Sequence, residues 1–325
     1  MTIPIAITCG DPNGIGPEIT VNAWKALKQE LNFVLFTSYD YMKQSFPEVP
    51  MIKIDNPKKV NEVMQNGLPI FDFPFLTKYR PNECNVDFSG ETIKSIEMAT
   101  RSCINGETKA LCTNPINKHI LSEKQNFKYT GHTDFLRHLT KSDNAVMMLA
   151  SDKLRVIPVT IHVSLANATK SLSIELIENT IEIAHNSLIR LFNITAPRIA
   201  VTGLNPHAGE NGMFGFEELD IIIPSIQALK RKDIDIRGPF SADSLFHERA
   251  RKKYDVVICM YHDQALIPIK TISFDEAVNV TLGLPFVRTS PDHGTAEDIA
   301  GKGIASPLSL ISSIRMAEYL TGDSV

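Results

Sequence analysis

Three histidines share one local setting in this chain: Thr160-Ile161-His162, Asn205-Pro206-His207 and Tyr261-His262-Asp263. Each closes an apolar run, LRVIPVTI, RIAVTGL or DVVICMY, that reads as a buried parallel strand. The carboxyl ends of strands in open α/β sheets line the ligand crevice, so three imidazoles at such ends can converge on one site. Neutral imidazole ligates zinc and other divalent transition ions, and three protein ligands leave a position for substrate. One such histidine reads as a satisfied strand-end side chain; three at equivalent positions read as a metal site, although their wide spacing matches no local zinc motif. Two aspartates accompany them: Asp263, directly after His262, and Asp243, in the strand-to-helix turn GPFSADSLF. A carboxylate there can orient a ligand histidine, accept a substrate proton or ligate directly; a solvated loop aspartate is the competing reading.

A second group of residues suits an anion. In GHTDFL, residues 131–136, Gly131 precedes His132 and Thr133 where a helix is predicted to open. Helix N-terminal amides, a hydroxyl and an imidazole are suited to phosphate, whereas Thr133 as a simple cap would need no ligand. Downstream, Lys270, Asn279 and Arg288 flank the apolar run NVTLGLPF. Cations beside a buried strand point to an anionic substrate, because unpaired charge there is costly. Two glycine-bearing turns remain. ITCGDPNGIGPEIT, residues 7–20, lacks the third glycine of the dinucleotide fingerprint, but Pro17 suits the first position of a helix and Glu18 its first turn. RTSPDHGTAEDIAGKGIASP, residues 288–307, permits close backbone approach at its glycines yet contains no P-loop.

These residues need a scaffold, and the chain reads as one. Eight β-rich runs (PIAITC, NFVLFTS, KALCT, AVMMLAS, LRVIPVTIHV, RIAVTGL, DVVICMY and AVNVTL) alternate with helical ones, the pattern of a largely parallel sheet with helices on its faces. ETIKSIEMATRSCI and ELIENTIEIAHNSLIRLF are the clearest helices. In the second, Leu176, Ile177, Ile181, Ala184, Leu188, Leu191 and Phe192 form one apolar stripe, and His185 beside it reads as structural. The stretch from about Asn56 to Ser89 reads as loops and a peripheral elaboration. No linker divides the chain, so its domains are expected to exchange segments.

At 325 residues, 43% hydrophobic and 22% charged, the chain is long enough for two domains or one large α/β unit. A net charge of -4 supplies no electrostatic reason for nucleic acid or an anionic membrane as partner, which leaves small molecules. Five scattered cysteines, Cys9, Cys84, Cys103, Cys112 and Cys259, form no C-x-x-C pair and argue against both a disulfide framework and a thiolate zinc site. No apolar run approaches about 18 residues and no cationic leader precedes the first strand, so a cytoplasmic protein is expected.

Taken together, the motifs carry a resemblance. DHGTAEDIAGKGIASP looks like the cofactor loop of isocitrate and isopropylmalate dehydrogenases, and GDPNGIGPE resembles their N-terminal turn. More narrowly, GDPNGIGPE, TNPINK, TGHTDF, NPHAGE, GPFSADSLF, MYHDQALIPIK and VNVTLGLPFVRTSPDHGTA resemble, in order, the 4-hydroxythreonine-4-phosphate dehydrogenase family. Asn114 and Ser164 depart from that family's usual small residue and proline. The resemblance implies an isocitrate/isopropylmalate dehydrogenase-like fold of two α/β domains with a cleft between them. The cofactor-side domain would comprise 1–126 plus 264–325, and the metal, substrate and dimerisation domain 127–263. It implies a homodimer with shared sites, NAD (or NADP) held by His293, Gly294, Thr295 and Asp298, and a divalent metal held by His162, His207 and His262. The metal would be zinc, with magnesium or cobalt as alternatives. His132, Thr133, Lys270, Asn279 and Arg288 would bind a phosphorylated amino acid, and Asp243, Asp263 and Lys118 are candidates for the catalytic base. The implied reaction oxidises and decarboxylates 4-phosphooxy-L-threonine to 3-amino-2-oxopropyl phosphate in pyridoxine 5'-phosphate biosynthesis. The competing readings are a paralogue acting on 4-phospho-D-threonate or 4-phosphoerythronate, a phosphate acyltransferase of similar fold, and a phosphate-binding protein without turnover.

Overall fold

A computed structural model of the chain describes residues 2–79 and 86–322; Cys84 lies outside the described residues. The chain divides into two compact units, Met1–Asp143 with Leu284–Asp323, and Asn144–Gly283. The first unit is therefore built from both ends of the chain. Its division falls at 143/144 and 283/284, later on both sides than the expected 126/127 and 263/264. Packing explains both shifts. The helix His132–Thr140 packs on the helix Ser89–Ile104 of the first unit, and the helix His262–Ser273 packs on strands of the second.

In the first unit β1 (Ile5–Thr8), β2 (Phe33–Thr37), β3 (Met51–Ile54), β4 (Leu68–Asp72), β5 (Ala110–Cys112) and β12 (Val287–Pro291) run parallel in the order β3-β4-β2-β1-β5-β12. Every residue of β1, β2, β5 and β12 is buried, as expected of parallel strands covered on both faces. The stretch expected to be peripheral loops instead contains β4, which lies between β2 and β3. Its sequence, LPIFD, includes a proline that removes one ladder donor and masks the strand signal.

In the second unit β6 (Val146–Ala150), β7 (Arg155–Thr160), β8 (Ile199–Thr202), β9 (Ile236–Phe240), β10 (Val256–Tyr261) and β11 (Val278–Leu282) follow the order β11-β6-β7-β10-β8-β9. The β11-β6 and β6-β7 pairs are antiparallel; β7, β10, β8 and β9 are parallel. The helix Ile174–Phe192 starts at Ser173, whose hydroxyl accepts the Leu176 N–H, and it buries Ile177, Ile181, Ala184, Leu188, Leu191 and Phe192 as the stripe requires. All eight β-rich runs of the sequence become strands. No helix among the described residues is long and apolar enough to cross a membrane.

Candidate active site

The anion-binding candidates of the first unit gather around Arg288. This residue sits in β12, is 3% exposed, and donates from Nη2 to the Thr113 hydroxyl at 2.6 Å. Burial pulls its guanidinium down to about 10 from 12.5, which leaves it cationic at neutral pH. His132 opens the helix His132–Thr140, so Thr133 lies inside the first turn and does not cap the helix. The Phe127 and Phe135 rings, 5.0 Å apart, fasten that helix to the segment before it. Burial, then the positive charges of Arg288 and Lys118, hold the His132 imidazole well below its usual 6.5, in the neutral form. Its Nε2 is buried without a hydrogen-bond partner. A neutral imidazole with an unpartnered nitrogen beside two cations suits an anion, to which that nitrogen can donate in the matching tautomer. Lys118 belongs to this group: a Cβ on Gly131 would lie 3.2 Å from its Nζ.

The cofactor candidates lie in the loop after β12, and the opening turn grips it. Ile15 donates its N–H to the Thr295 carbonyl at 2.9 Å, and a Cβ on Gly14 would come within 2.8 Å of the same oxygen. Glu18, 5% exposed in the helix Gly16–Leu27, accepts the N–H groups of Gly301 at 3.1 Å and Ala305 at 3.0 Å. Asn117 donates to Glu297 at 2.8 Å. The loop thus presents His293, Gly294, Thr295 and Asp298 from an anchored backbone. His293 Nδ1 approaches the Gly294 carbonyl at 3.0 Å, while its Nε2 is buried without a partner. That orphaned nitrogen and the exposed Gly294 and Asp298 suit a polar cofactor edge.

In the second unit each candidate histidine follows a strand end. The His162 and His262 ring centroids are 6.0 Å apart, and Asp263 Oδ1 lies 2.7 Å from His262 Nδ1. That contact fixes the His262 ring and leaves Nε2 for a ligand. The His207 ring centroid lies 6.1 Å from that of Phe214. Among the described residues no three His, Cys, Asp or Glu side chains gather as a metal cage. The three imidazoles therefore form no ligand set within the chain; the adjacent His162 and His262 offer two of the donors a divalent ion needs. Asp243, exposed in the turn Ala242–Ser244, accepts the Ser241 hydroxyl at 2.6 Å. Lys270 lies on the helix His262–Ser273 and Asn279 in β11, where its Oδ1 is buried without a partner. Burial pushes the thiols of Cys9, Cys103 and Cys112 up to about 12 and that of Cys259 higher still, so none is a thiolate ligand or nucleophile at neutral pH.

Several supporting residues escaped sequence reasoning. Backbone from His207 to Asn211 runs left-handed, with φ of 53, 51, 76, 42 and 56°. Glu218, 2% exposed, braces the turn before it by accepting the N–H groups of Leu204 at 2.7 Å and Asn205 at 2.8 Å. Gln264 links the strand ends behind the histidines: its Oε1 accepts from Thr202 and from the Met260 N–H, each at 2.7 Å, and its amide donates to the Gly203 carbonyl at 2.8 Å. The signal for Gln264 was its place directly after Asp263; Glu218 had none. Of the two departures, Asn114 is fully buried and donates to the Thr8 carbonyl and Thr20 hydroxyl, while Ser164 caps the helix Leu165–Ser171.

Two α/β units, the first assembled from both chain ends, have the isocitrate/isopropylmalate dehydrogenase-like fold. A β-decarboxylating dehydrogenase from Thermococcus kodakarensis shares that fold, with a TM-score of 0.51 at 15% identity over 98% of this chain and 84% of the other. Residues 26–317 match the family described as pyridoxal phosphate biosynthetic protein PdxA, and the chain belongs to that family. A protein of Roseobacter denitrificans named 4-hydroxythreonine-4-phosphate dehydrogenase is 46% identical over 325 residues, covering 100% of this chain and 99% of that protein. The crystal structure of 4-hydroxythreonine-4-phosphate dehydrogenase from Klebsiella pneumoniae superposes with a TM-score of 0.90 at 37% identity, over 99% of this chain and 100% of that one. Family membership places the chain in pyridoxal phosphate biosynthesis, among proteins named as dehydrogenases.

Proposed function

We propose that the protein oxidises and decarboxylates 4-phosphooxy-L-threonine to 3-amino-2-oxopropyl phosphate, with NAD and a divalent metal ion. The observation that carries the reading is the group at Arg288: a buried guanidinium, Lys118, and a neutral His132 whose Nε2 has no partner. That group suits a phosphate dianion, and the names of the close relatives supply the phosphorylated substrate.

Arg288, Lys118 and Thr133 would hold the phosphate oxygens, with His132 donating from Nε2. Lys270 and Asn279, whose Oδ1 is buried without a partner, would meet the remaining polar groups of the substrate. His162, His207 and His262 would hold the metal ion, zinc by donor type with magnesium or cobalt as alternatives, and His293, Gly294, Thr295 and Asp298 the nicotinamide cofactor. When bound, these groups supply a Lewis acid for the C3 oxygen and an acceptor for the C3 hydride. Asp243 would take the C3 hydroxyl proton, and Asp263 would keep His262 oriented. The β-keto acid so formed loses its carboxylate as carbon dioxide, and C2 gains a proton.

A homodimer with shared sites agrees with the position of His207. Met213, Phe214 and Phe216 beside it in sequence are 73%, 46% and 62% exposed, an apolar surface of the kind that subunit contacts cover. The test is NADH formation by the purified protein with 4-phosphooxy-L-threonine, before and after chelator treatment, with NADP in parallel. Turnover that a chelator abolishes and added metal restores supports the reading. A preference for 4-phospho-D-threonate or 4-phosphoerythronate would move the chain to a paralogous activity, and turnover unaffected by chelator and by His207→Ala would remove the metal.

A further inference from the structure

Away from the histidines, the second unit holds a cavity of about 570 Å³ that none of the candidate residues lines. Five of its lining residues are basic, Arg198, Arg237, His247, Arg249 and Lys253, and none is acidic. Its apolar floor includes Ala200 and Tyr254, which are 2% and 8% exposed. The charged residues cluster at the amino ends of strands: Arg198 precedes β8, Arg237 lies near the start of β9, and Lys253 precedes β10. His162, His207 and His262 follow the carboxyl ends of β7, β8 and β10. With about 3.3 Å of rise per residue, strands this short still set those two ends roughly 13–20 Å apart. Phe240 and Ser244, on either side of Asp243, form another part of the wall.

The cations differ in how they are engaged. Arg198 is locked by Asp255 through Nε at 3.1 Å and Nη2 at 3.0 Å, and its Nη1 donates to the Lys252 carbonyl at 3.0 Å. Arg237 is held by Asp235 through Nε at 3.0 Å and Nη2 at 3.1 Å, which leaves Nη1 outside the pair. Arg249 and Lys253 have no carboxylate within ion-pair distance among the described residues. The two cations without a carboxylate partner, Arg249 and Lys253, raise the local concentration of anions, the ion-paired Arg198 and Arg237 add fixed donors, and a dianion answers the pair better than a carboxylate. The Tyr254 ring is fixed by its hydroxyl, which donates to the Leu245 carbonyl at 2.9 Å, and so offers a rigid apolar wall. The volume lies in the range of small-molecule sites and exceeds what a bare phosphate fills.

We propose that this cavity is a second anion site, which binds a phosphate monoester carrying a flat apolar body. Phenyl phosphate is the matching probe. The group at Arg288 takes phosphate as well, so occupancy of the cavity is read as the binding that cavity variants lose. Calorimetric titration of the full-length protein is expected to give two classes of phenyl phosphate site. Arg249→Ala/Lys253→Ala is expected to weaken one class about tenfold or more, since a single hydrogen bond to a charged group is worth that much, and to leave the other unchanged. Ser244→Trp, at an exposed position that fills the cavity without removing charge, is expected to lose the same class, with circular dichroism confirming that both variants fold. Inorganic phosphate should bind the cavity class more weakly than phenyl phosphate. Unchanged titrations in both variants, equal affinity for inorganic phosphate, or a changed sedimentation mass that marks the cavity as a subunit contact would each overturn the proposal.

Discussion

His132 shows how burial sets the chemistry of one side chain. Its imidazole is kept neutral first by desolvation and then by Arg288 and Lys118, while in the unfolded chain it titrates near 6.5. The folded state therefore binds fewer protons than the unfolded state once the pH drops below that value. The contribution is constant above about 6.5 and is lost progressively as the pH falls below it, at up to about 1.4 kcal/mol per pH unit. Replacing His132 with Asn removes the titration, so the stability difference between wild type and His132→Asn should shift against the wild type from pH 6.5 to pH 5. Thermal melts of both proteins across that range check it, and parallel curves would show that His132 is free to protonate in the fold. Residue types made this side chain a candidate anion ligand, because an imidazole and a hydroxyl at a predicted helix start suit phosphate. Its neutrality was not legible, because the burial that causes it, and then the approach of Arg288 and Lys118, arise only in the fold.

Elements were legible where composition and burial agree. The eight apolar runs became strands because their β-branched and aliphatic residues outweigh an isolated interruption such as Pro158 in β7. β3, β4, β9 and β12 read MIKI, LPIFD, IRGPF and VRTSP, and each was missed: β3 is four residues with a lysine inside, and in the others proline, glycine or arginine breaks a short apolar signal. In β12 the interruption is Arg288 itself, a buried cation that is costly to place there and that suits an anionic ligand. Domain boundaries were less legible, since the helices that decide them are amphipathic wherever they pack. The opening turn makes its own prediction at this scale. Glu18 accepts two backbone N–H groups from the loop that carries the cofactor candidates. Glu18→Ala strips the buried Ala305 N–H of its acceptor while the exposed Gly301 N–H turns to water, which costs about 1–3 kcal/mol and should lower the melting temperature by roughly 2–8 °C. The same variant should weaken NAD binding, whereas Glu18→Gln, which keeps one acceptor oxygen, should lose about half as much stability. Melting curves and NAD titrations of the two variants test the brace, and identical behaviour of Glu18→Ala and wild type would remove it.

At the scale of the whole molecule, the informative fact is that His162, His207 and His262 form no three-ligand cluster among the described residues. A metal site that needs all three imidazoles has to draw His207 from elsewhere if the chain itself does not gather them. In the proposed symmetric dimer a partner copy would supply it, because a two-fold axis brings the same surface of each copy together, and the exposed Phe214 and Phe216 lie on the His207 segment. The arrangement can be tested by complementation. His207→Ala and His262→Ala homodimers each lack a ligand in both sites and should be inactive. In a mixed dimer, one site receives both defects and the other receives an intact His207 from one subunit and an intact His262 from its partner. Co-refolding the two variants in equal amounts should therefore restore about a quarter of wild-type turnover, since half the dimers are mixed and each carries one intact site. If all three histidines of a site came from the same chain, every site in the mixture would lack one ligand. Activity would then stay at the level of the separate variants, however long they were mixed.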